Sequence, residues 1–228
     1  MVRVELPRHN VDPCQKGYLG CLNRQRYLPG RTTALWNAAS GNGTGGAQSV
    51  DVTVERAARN SRRLYAAVQI AAPIDVVWGA LTDYEGLGNF IPGLTENRCL
   101  SKKAQGATLL QRLCSNHDGG RSSAMAEERL YPLPRAPPCV GPCKDVCFSL
   151  VEGDFQAFRG IWRMQQGSQG PNSCRLSYAL FVRPQVWLPI RLIQNRVENE
   201  IKNNLTAVQR HSEALYRQKG SVRGAKQL

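Results

Sequence analysis

Apolar and polar residues alternate along the middle of the chain, which predicts a sheet built from short strands. A largely apolar run at residues 64–70 predicts the first main strand, and alternating valines at 50–55 predict a small edge strand before it. Further strands are predicted over residues 95–101, 107–115, 124–130, 146–152, 157–165 and 174–183, with a hairpin turn at 167–172. Successive strands joined by short turns imply antiparallel pairing.

Directly after the first main strand, apolar residues recur every three or four positions, which predicts two short helices. Pro73 suits a first helical turn, because its missing N–H is not needed there. The apolar positions that follow share one face: Val77, Trp78, Leu81 and Tyr84. A second short helix is predicted over residues 84–91 and ends at Pro92-Gly93. Two such helices cannot bury their own apolar faces, so we expect them to lie on the sheet.

A long amphipathic helix is predicted from Pro189 to Gln218, with a length of about 45 Å at 1.5 Å per residue. Its apolar positions repeat every three to four residues: Ile190, Ile193, Val197, Ile201, Leu205, Val208 and Leu215. Charged and amide side chains occupy the opposite face, so we expect one side of this helix to lie across a curved sheet. After Lys219, the basic end of the chain is predicted to be disordered.

The predicted order of elements defines the fold class as α+β. A strand, two short helices, a run of antiparallel strands and a long C-terminal helix indicate a curved sheet wrapped around that helix, with a cavity between them. The predicted domain covers residues 50–218, with a Pro- and Cys-rich insertion at 132–144. It follows a disordered or targeting segment, residues 1–49, that ends in a Gly-rich linker, and it precedes a basic disordered tail at 219–228.

The formal net charge of +13 is concentrated at the two ends of the chain. Residues 1–49 carry six Lys and Arg against two acids, residues 50–188 carry sixteen against twelve, and residues 189–228 carry eight against three. This pattern favours an anionic membrane surface as a transient partner. Nucleic acid is not favoured, because aromatic residues are few and no base-stacking motif is present. Residues 1–49 loosely fit a plastid or mitochondrial transit peptide.

Eight cysteines are spread along the chain, and three of them are spaced by four residues near the insertion: Cys139, Cys143 and Cys147. A metal site needs a fourth ligand, and none of the three histidines lies nearby in the sequence. The prolines also prevent a helix that would stack the three thiols. We therefore predict inert thiols in a loop and no metal, with a redox-sensitive pair such as Cys139 and Cys143 as the alternative.

Titratable residues of the predicted sheet region offer few candidates for catalysis. His117 lies in a predicted Gly-rich turn, Asp83 follows the first short helix, and Glu152 precedes Gly153, which indicates a bend. No nucleophile elbow, phosphate-cradling loop or metal-binding histidine pair is present. These three residues are therefore only weak candidates for an acid or base, and we predict no catalytic residue and no cofactor.

Short motifs spread over residues 60–215 carry a resemblance to a known family. They include Ala72-Pro73, Val77-Trp78, Leu81-Thr82-Asp83-Tyr84, Phe90-Ile91-Pro92, the stretch VEGDF at 151–155, Phe158-Gly160-Trp162 and Leu188-Pro189. On these residues the chain resembles the START-like superfamily (SRPBCC, helix-grip fold), in its polyketide cyclase/dehydrase and coenzyme Q-binding branch. The plant and algal plastid members are the most similar in motif, which implies a chloroplast protein; mitochondrial or cytoplasmic location is the alternative.

The resemblance implies that an apolar ligand is held between the sheet and the last helix. The candidate lining residues are Trp78, Phe90, Phe148, Phe158, Trp162, Tyr178, Ile193, Val197 and Ile201. We expect a monomer that binds and transports an isoprenoid quinone, a lipid or a similar molecule without catalysis. The alternatives are a cyclase or dehydrase that uses Asp83, Glu152 or His117 as its base, and a basic interaction module for RNA or membrane surfaces.

Overall fold

An antiparallel sheet and a long helix dominate the part of the chain that the structure, a computed structural model, describes. This part comprises residues 2–9, 50–92, 94–103, 106–113, 141–153, 155–185 and 187–225, with only the backbone described for 2–9, 103, 106, 112, 113 and 220–225. Its strands are β1 Val2–His9, β2 Val52–Ala58, β3 Ser61–Ile70, β4 Leu94–Lys103, β5 Gly106–Leu113, β6 Cys143–Glu152, β7 Phe155–Gly167 and β8 Gly170–Pro184. They pair in the order β2-β3-β8-β7-β6-β1-β5-β4.

The helical segments of the described residues are α1 at Ile74–Thr82, a 3-10 helix at Gly86–Asn89 and α2 at Ile190–Ala225. α2 lies against β3, β8 and α1. Its buried side chains include Ile190, Ile201, Leu205 and Val208. A curved antiparallel sheet around a long C-terminal helix confirms the predicted α+β helix-grip fold. None of the described helices combines the length and the apolarity that crossing a bilayer requires.

The central strands are buried on both faces. In β3, Leu64, Ala66 and Val68 belong to the main apolar cluster, to which α2 also contributes. Tyr65 points to the other face, because side chains alternate along a strand. There it packs with Ile161 of β7 and Ala179 of β8. Burial on both faces explains why residues 64–68 are all apolar or aromatic rather than alternating with polar residues.

The turn from α1 into β4 is held by polar contacts. Asn97 of β4 donates a hydrogen bond from Nδ2 to the Tyr84 carbonyl oxygen at 2.6 Å. Asp83 Oδ1 accepts a hydrogen bond from the Gly86 backbone N–H at 3.2 Å. The second helix predicted over residues 84–91 is instead the four-residue 3-10 helix. A local side-chain acceptor and two glycines in this segment favour a turn over a regular α-helix.

The N-terminal residues Val2–His9 form β1, which pairs with β5 on one side and with β6 on the other. Residues 2–9 therefore belong to the sheet, which differs from the predicted disorder before residue 50, whereas a targeting role of residues 1–49 stays a prediction. The sequence Val-Arg-Val-Glu-Leu that opens β1 does alternate apolar and polar residues. The acid-poor composition of residues 1–49 indicates a disordered segment, whereas the short apolar–polar alternation at its start indicates a strand. The Gly-rich linker at 40–49 lies outside the described residues.

Several predicted boundaries shift in the second half of the chain. The hairpin between β7 and β8 is tighter than predicted, because Gly167 pairs with Gly170, whose φ of +89° suits a glycine. α2 continues past Gln218 to Ala225, which corrects the predicted disordered tail for residues 219–225. Each of the two glycines in this extension costs a helix only about 1 kcal/mol. β6 already begins at Cys143. The strand predicted at 124–130, residues 132–140 of the insertion and residues 226–228 lie outside the described residues.

Candidate ligand-binding site

Aromatic side chains form a continuous row on the α2-facing side of β6, β7 and β8, which we call the aromatic row: Phe155, Phe158, Phe148, Tyr178 and Trp162. The distances between ring centroids along the row are 5.4 Å, 5.7 Å, 5.6 Å and 4.3 Å. These separations are typical of favourable aromatic pairs. The row therefore gives the sheet a broad apolar floor beneath α2.

Gly160 makes the centre of this row possible. It lies between Phe158 and Trp162 on β7 and opposite Phe148 on β6. A Cβ at this position would overlap the Phe148 ring and the backbone oxygen of Ala179. The absence of a side chain therefore leaves room for the Phe148 ring to lie over β7.

α2 forms the wall opposite the aromatic row. Ile193, Val197 and Ile201 follow one another at four-residue spacing on its sheet-facing side and belong to the same apolar cluster as the row. Ile201 is buried, whereas Ile193 and Val197 are half-buried. The side chains of this wall are therefore more accessible to solvent toward the start of α2.

Two contacts join the short helices to the rest of the site. Lys144 of β6 places its Nζ 2.7 Å from Asp75 Oδ1 and 5.3 Å from the centre of the Trp78 ring, which ties β6 to α1. Phe90 follows the 3-10 helix and stacks on His211 of α2, with 4.1 Å between ring centroids and 2° between ring planes. The Phe90–His211 pair thus closes the gap between the 3-10 helix and α2.

The nine predicted lining residues all lie in one apolar cluster. Phe148, Tyr178 and Ile201 are buried in it. The other six are half-buried: Trp78, Phe90, Phe158, Trp162, Ile193 and Val197. The structure therefore brings the predicted residues together, whereas their contact with a ligand stays a prediction.

Polar atoms are interspersed among these apolar side chains. Burial raises the pKa of the Tyr178 hydroxyl above its usual range, so this group stays protonated. On α2, the buried Asn204 Oδ1 has no hydrogen-bond partner among the described residues. At the start of β3, Arg62 donates a hydrogen bond from Nε to Gln194 Oε1 of α2 at 2.9 Å. A ligand that enters this region would therefore meet a few fixed polar groups.

The two weak catalytic candidates that the structure describes are not in a shielded site. Asp83 is exposed, and its carboxylate accepts the hydrogen bond from Gly86 N–H. Glu152 is exposed at the end of β6, and His117 lies outside the described residues. Among the described side chains, no three His, Cys, Asp or Glu residues are grouped as a metal ion would require.

The described cysteines differ in bonding state. Cys99, Cys147 and Cys174 form no disulfide, and burial raises the pKa of the Cys174 thiol to about 12. Cys143 is disulfide-bonded, so the prediction of inert thiols is wrong for this residue. Because none of the other described cysteines forms a disulfide, its partner lies outside the described residues. Cys139 lies there too, so its pairing with Cys143 stays a prediction.

On the face of the sheet that points away from α2, Asp145 of β6 and Arg163 of β7 form a bidentate ion pair. They lie opposite each other in the strand register. Arg163 Nε is 2.7 Å from Asp145 Oδ1, and Arg163 Nη2 is 2.5 Å from Asp145 Oδ2. The side chains are 8% (Asp145) and 15% (Arg163) exposed. The pair therefore joins two of the three strands that carry the aromatic row.

The inner side also includes Arg62, Phe155 and His211, which were not among the predicted lining residues. Arg62 lies two residues before the apolar run at 64–70. Strand alternation places Arg62 on the same face as Leu64 and Ala66, and this is the signal that could have located it. His211 continues the inward stripe of α2 three residues after Val208. Phe155 had no such signal, because the pairing register shifts between Phe155 and Ala157.

Comparison with known proteins identifies the family. The family described as polyketide cyclase / dehydrase and lipid transport matches residues 70–209, which is more than half of the chain. The chain belongs to this family. The match includes α1, β4 to β8 and most of α2, so both walls of the candidate site lie within it. A search of the curated proteins found no match.

Solved structures show that this polyketide cyclase and lipid-transport family member has the START-like fold. A STAR-related lipid transfer protein from Xanthomonas axonopodis is 13% identical with a TM-score of 0.53, and the match covers 74% of this chain and 96% of that chain. The Zhui aromatase/cyclase of a Streptomyces species is 16% identical with a TM-score of 0.51, and the match covers 67% of this chain and 94% of that chain. The human StarD13 lipid transfer and protein localization domain is 10% identical with a TM-score of 0.50, and the match covers 81% of this chain and 98% of that chain. At these identities, the similarity shows the fold alone.

Proposed function

We propose that this protein binds a hydrophobic small molecule between the aromatic row and α2, and carries it without changing it chemically. The observation that best supports this is the incomplete burial of the inner side, where six of the nine lining residues are only half-buried. Protein interiors are normally close-packed. Large apolar side chains that keep accessible surface on an inner face therefore indicate room for an apolar guest. An isoprenoid quinone or a lipid is the class of ligand that we propose.

Burial of an apolar chain supplies enough binding free energy without any catalytic group. Each methylene group removed from water contributes about 0.8 kcal/mol, so ten of them contribute about 8 kcal/mol before the costs of ordering. A cyclase would need an acid or base in a shielded pocket. Asp83 and Glu152 are both exposed, which favours binding over the cyclase alternative.

The direct test is to identify what the purified protein carries. Mass spectrometry of a solvent extract is expected to detect an apolar molecule in an amount comparable to the protein. Val197→Phe adds volume to the half-buried wall and is expected to lower that amount by about tenfold, because side chain and guest compete for the same space. Leu100→Ala, at an exposed site on β4, serves as the control and is expected to retain the ligand.

Circular dichroism establishes that both variants are folded. A purified wild-type protein that carries no apolar molecule, and that also takes up no added long-chain alcohol, would contradict the proposed function. Turnover of a polyketide-like substrate that is lost on substitution of Asp83 or Glu152 would instead support the cyclase alternative.

We also propose that the ligand is exchanged at an anionic membrane surface. Just before and at the start of α2, Trp187 and Leu192 are large apolar side chains that are each 74% exposed. The charged residues among the exposed positions of α2 are all positive: Arg191, Arg196, Lys202, Arg210, Arg217 and Lys219. The glutamates of α2, Glu198, Glu200 and Glu213, are half-buried. Tryptophan is favoured at membrane interfaces, and Lys and Arg are attracted to anionic lipids.

Sedimentation with lipid vesicles tests this surface. We expect binding to vesicles of phosphatidylcholine with phosphatidylserine, weaker binding to phosphatidylcholine alone, and a decrease with added salt. Trp187→Ala/Leu192→Ala is expected to weaken binding by at least about tenfold, because two apolar anchors are lost. Leu100→Ala is the matched control. Unchanged vesicle binding by the double variant would contradict the proposal, and salt-sensitive binding to RNA but not to vesicles would favour the nucleic-acid alternative.

A further inference from the structure

Arg62 is a cationic side chain inside the helix–sheet interior. It lies on β3 and shares the α2-facing side of that strand with Leu64, two residues along. Only 9% of its surface is exposed. Arginine is rarely buried to this extent unless a carboxylate or another anion compensates its charge.

The hydrogen-bond partners of Arg62 are neutral. Its Nε donates to Gln194 Oε1 at 2.9 Å, and its Nη1 donates to the Ser61 carbonyl oxygen at 2.9 Å. Glu198 is bonded to this group only indirectly, because its Oε1 accepts a hydrogen bond from Gln194 Nε2 at 2.9 Å. Within the described part of the chain, no carboxylate forms an ion pair with Arg62. The guanidinium is therefore held in place by amide and carbonyl groups, and no described carboxylate acts as its direct counter-ion.

The surroundings of Arg62 add to the positive potential. The start of α2 is anchored nearby, since the Ile190 backbone N–H donates to Asn60 Oδ1 at 2.7 Å, two residues before Arg62. The first turn of α2 contains no acidic residue. Because the N-terminal end of a helix carries a partial positive charge, it reinforces the charge of Arg62 rather than compensating it.

The strand register connects Arg62 to the candidate ligand-binding site. Arg62 lies opposite Val182 of β8, and Val182 lies opposite Phe158 of β7. Residues in one such cross-strand row share a face of the sheet, and neighbouring strands are about 4.8 Å apart. The backbones of Arg62 and Phe158 are therefore roughly 10 Å apart. This separation puts the guanidinium within a side chain's reach of the Phe158 end of the aromatic row.

We propose that Arg62 binds the anionic head group of the ligand, so that the preferred guest is an amphiphile with an apolar chain and a terminal carboxylate or phosphate. This inference rests on the proposed function and specifies its ligand class. A guanidinium donates paired hydrogen bonds to a carboxylate or phosphate, and such charge-assisted bonds are among the strongest in proteins. A neutral guest would leave the buried charge uncompensated. The same interior would therefore favour an anionic amphiphile over a neutral one of equal chain length.

Probes of equal chain length separate the head group from the chain. Displacement of a fluorescent fatty acid is measured with palmitate, hexadecyl phosphate and hexadecanol, at a pH at which the acid head groups are ionised. Wild-type protein is expected to bind the two anionic probes at least about tenfold more tightly than hexadecanol. A preference for only one of the two anions identifies the head group as a carboxylate or as a phosphate.

Arg62→Met removes the charge while keeping an unbranched apolar side chain. It is expected to weaken binding of the anionic probes by at least about tenfold and to leave hexadecanol within about twofold. Arg56→Met is the matched control, because Arg56 lies opposite Arg62 on β2 but is exposed. It removes the same net charge and is expected to change no affinity by more than about twofold.

The possible outcomes distinguish the two proposals. If wild-type protein binds palmitate and hexadecanol equally, the role of Arg62 is overturned while the proposed function stands. An equal loss of anion binding in Arg56→Met and Arg62→Met would also overturn it, because the effect would then be one of net charge. If no probe binds, the proposed function itself fails. The wild-type comparison of probes remains decisive even if Arg62→Met does not fold.

Discussion

Asp145→Ala is expected to lower the free energy of unfolding by about 3–5 kcal/mol, the usual cost of removing one partner of a buried ion pair. Asp145 is almost fully buried and accepts two hydrogen bonds from Arg163 on the neighbouring strand. Removal of the carboxylate leaves the half-buried guanidinium without its bidentate partner, and desolvation of that charge is no longer compensated by this pair. The effect is largely a cost of the remaining charge rather than a measure of what the pair contributes.

Urea unfolding followed by circular dichroism measures this difference. Asp75→Ala is the matched control, because Asp75 also forms an ion pair, with Lys144 at 2.7 Å, but its side chain is 84% exposed. Exposed pairs contribute about 0–1 kcal/mol. Comparable losses of stability in the two variants would contradict the argument that burial, rather than pairing, sets the size of the effect.

Leu205→Ala is expected to lower the free energy of unfolding by about 2–5 kcal/mol. Leu205 is fully buried in the main apolar cluster, on the side of α2 that faces the sheet. The substitution removes apolar contacts and leaves a cavity that the surrounding helix and sheet can only partly fill. The result would show that α2 stabilises the domain from within, in addition to forming one wall of the ligand site.

The same helix offers the control for this prediction. Leu192→Ala makes the same chemical change at a site that is 74% exposed and is expected to alter stability by no more than about 0.5 kcal/mol. Thermal unfolding of both variants, after removal of bound lipid, provides the comparison. A loss in Leu192→Ala as large as that in Leu205→Ala would mean that Leu192 is buried in solution, which would also contradict the proposed membrane-facing surface.

Hydrophobic periodicity was sufficient to predict most of this fold. The apolar run at 64–70, the stripe from Ile190 to Val208 and the alternating strands at 146–152, 157–165 and 174–183 each carry a period that matches the observed element. β1 was missed because its few alternating residues lie in a segment whose overall composition is that of an unfolded chain. A short strand takes its stability from the neighbours that it pairs with, and those neighbours lie far away in the sequence.

The candidate site could be predicted only as far as its apolar residues. Phe148, Trp162 and Tyr178 lie on the inner face because strand alternation places them there. Arg62 was outside the prediction, because a pattern based on apolar residues gives no reason to place a charged side chain inside. The stacking of Phe90 on His211 depends on how the 3-10 helix meets α2. Such tertiary contacts follow from packing, which the period of a single element does not encode.

The position of β1 has a consequence for the order in which this protein assembles. Val4 pairs with Leu109 on β5 and with Leu150 on β6, so each pairing closes a loop of more than about 100 residues, and such distant contacts slow folding. During synthesis β1 leaves the ribosome well before β6, so it cannot complete both of its pairings until β6 has been made. As long as β1 is not in place, the edges of β5 and β6 with which it pairs stay exposed, and chains aggregate at such edges. The N-terminal strand thus acts as the closing piece of the sheet, and its delayed arrival sets the interval during which a chaperone would be of most use.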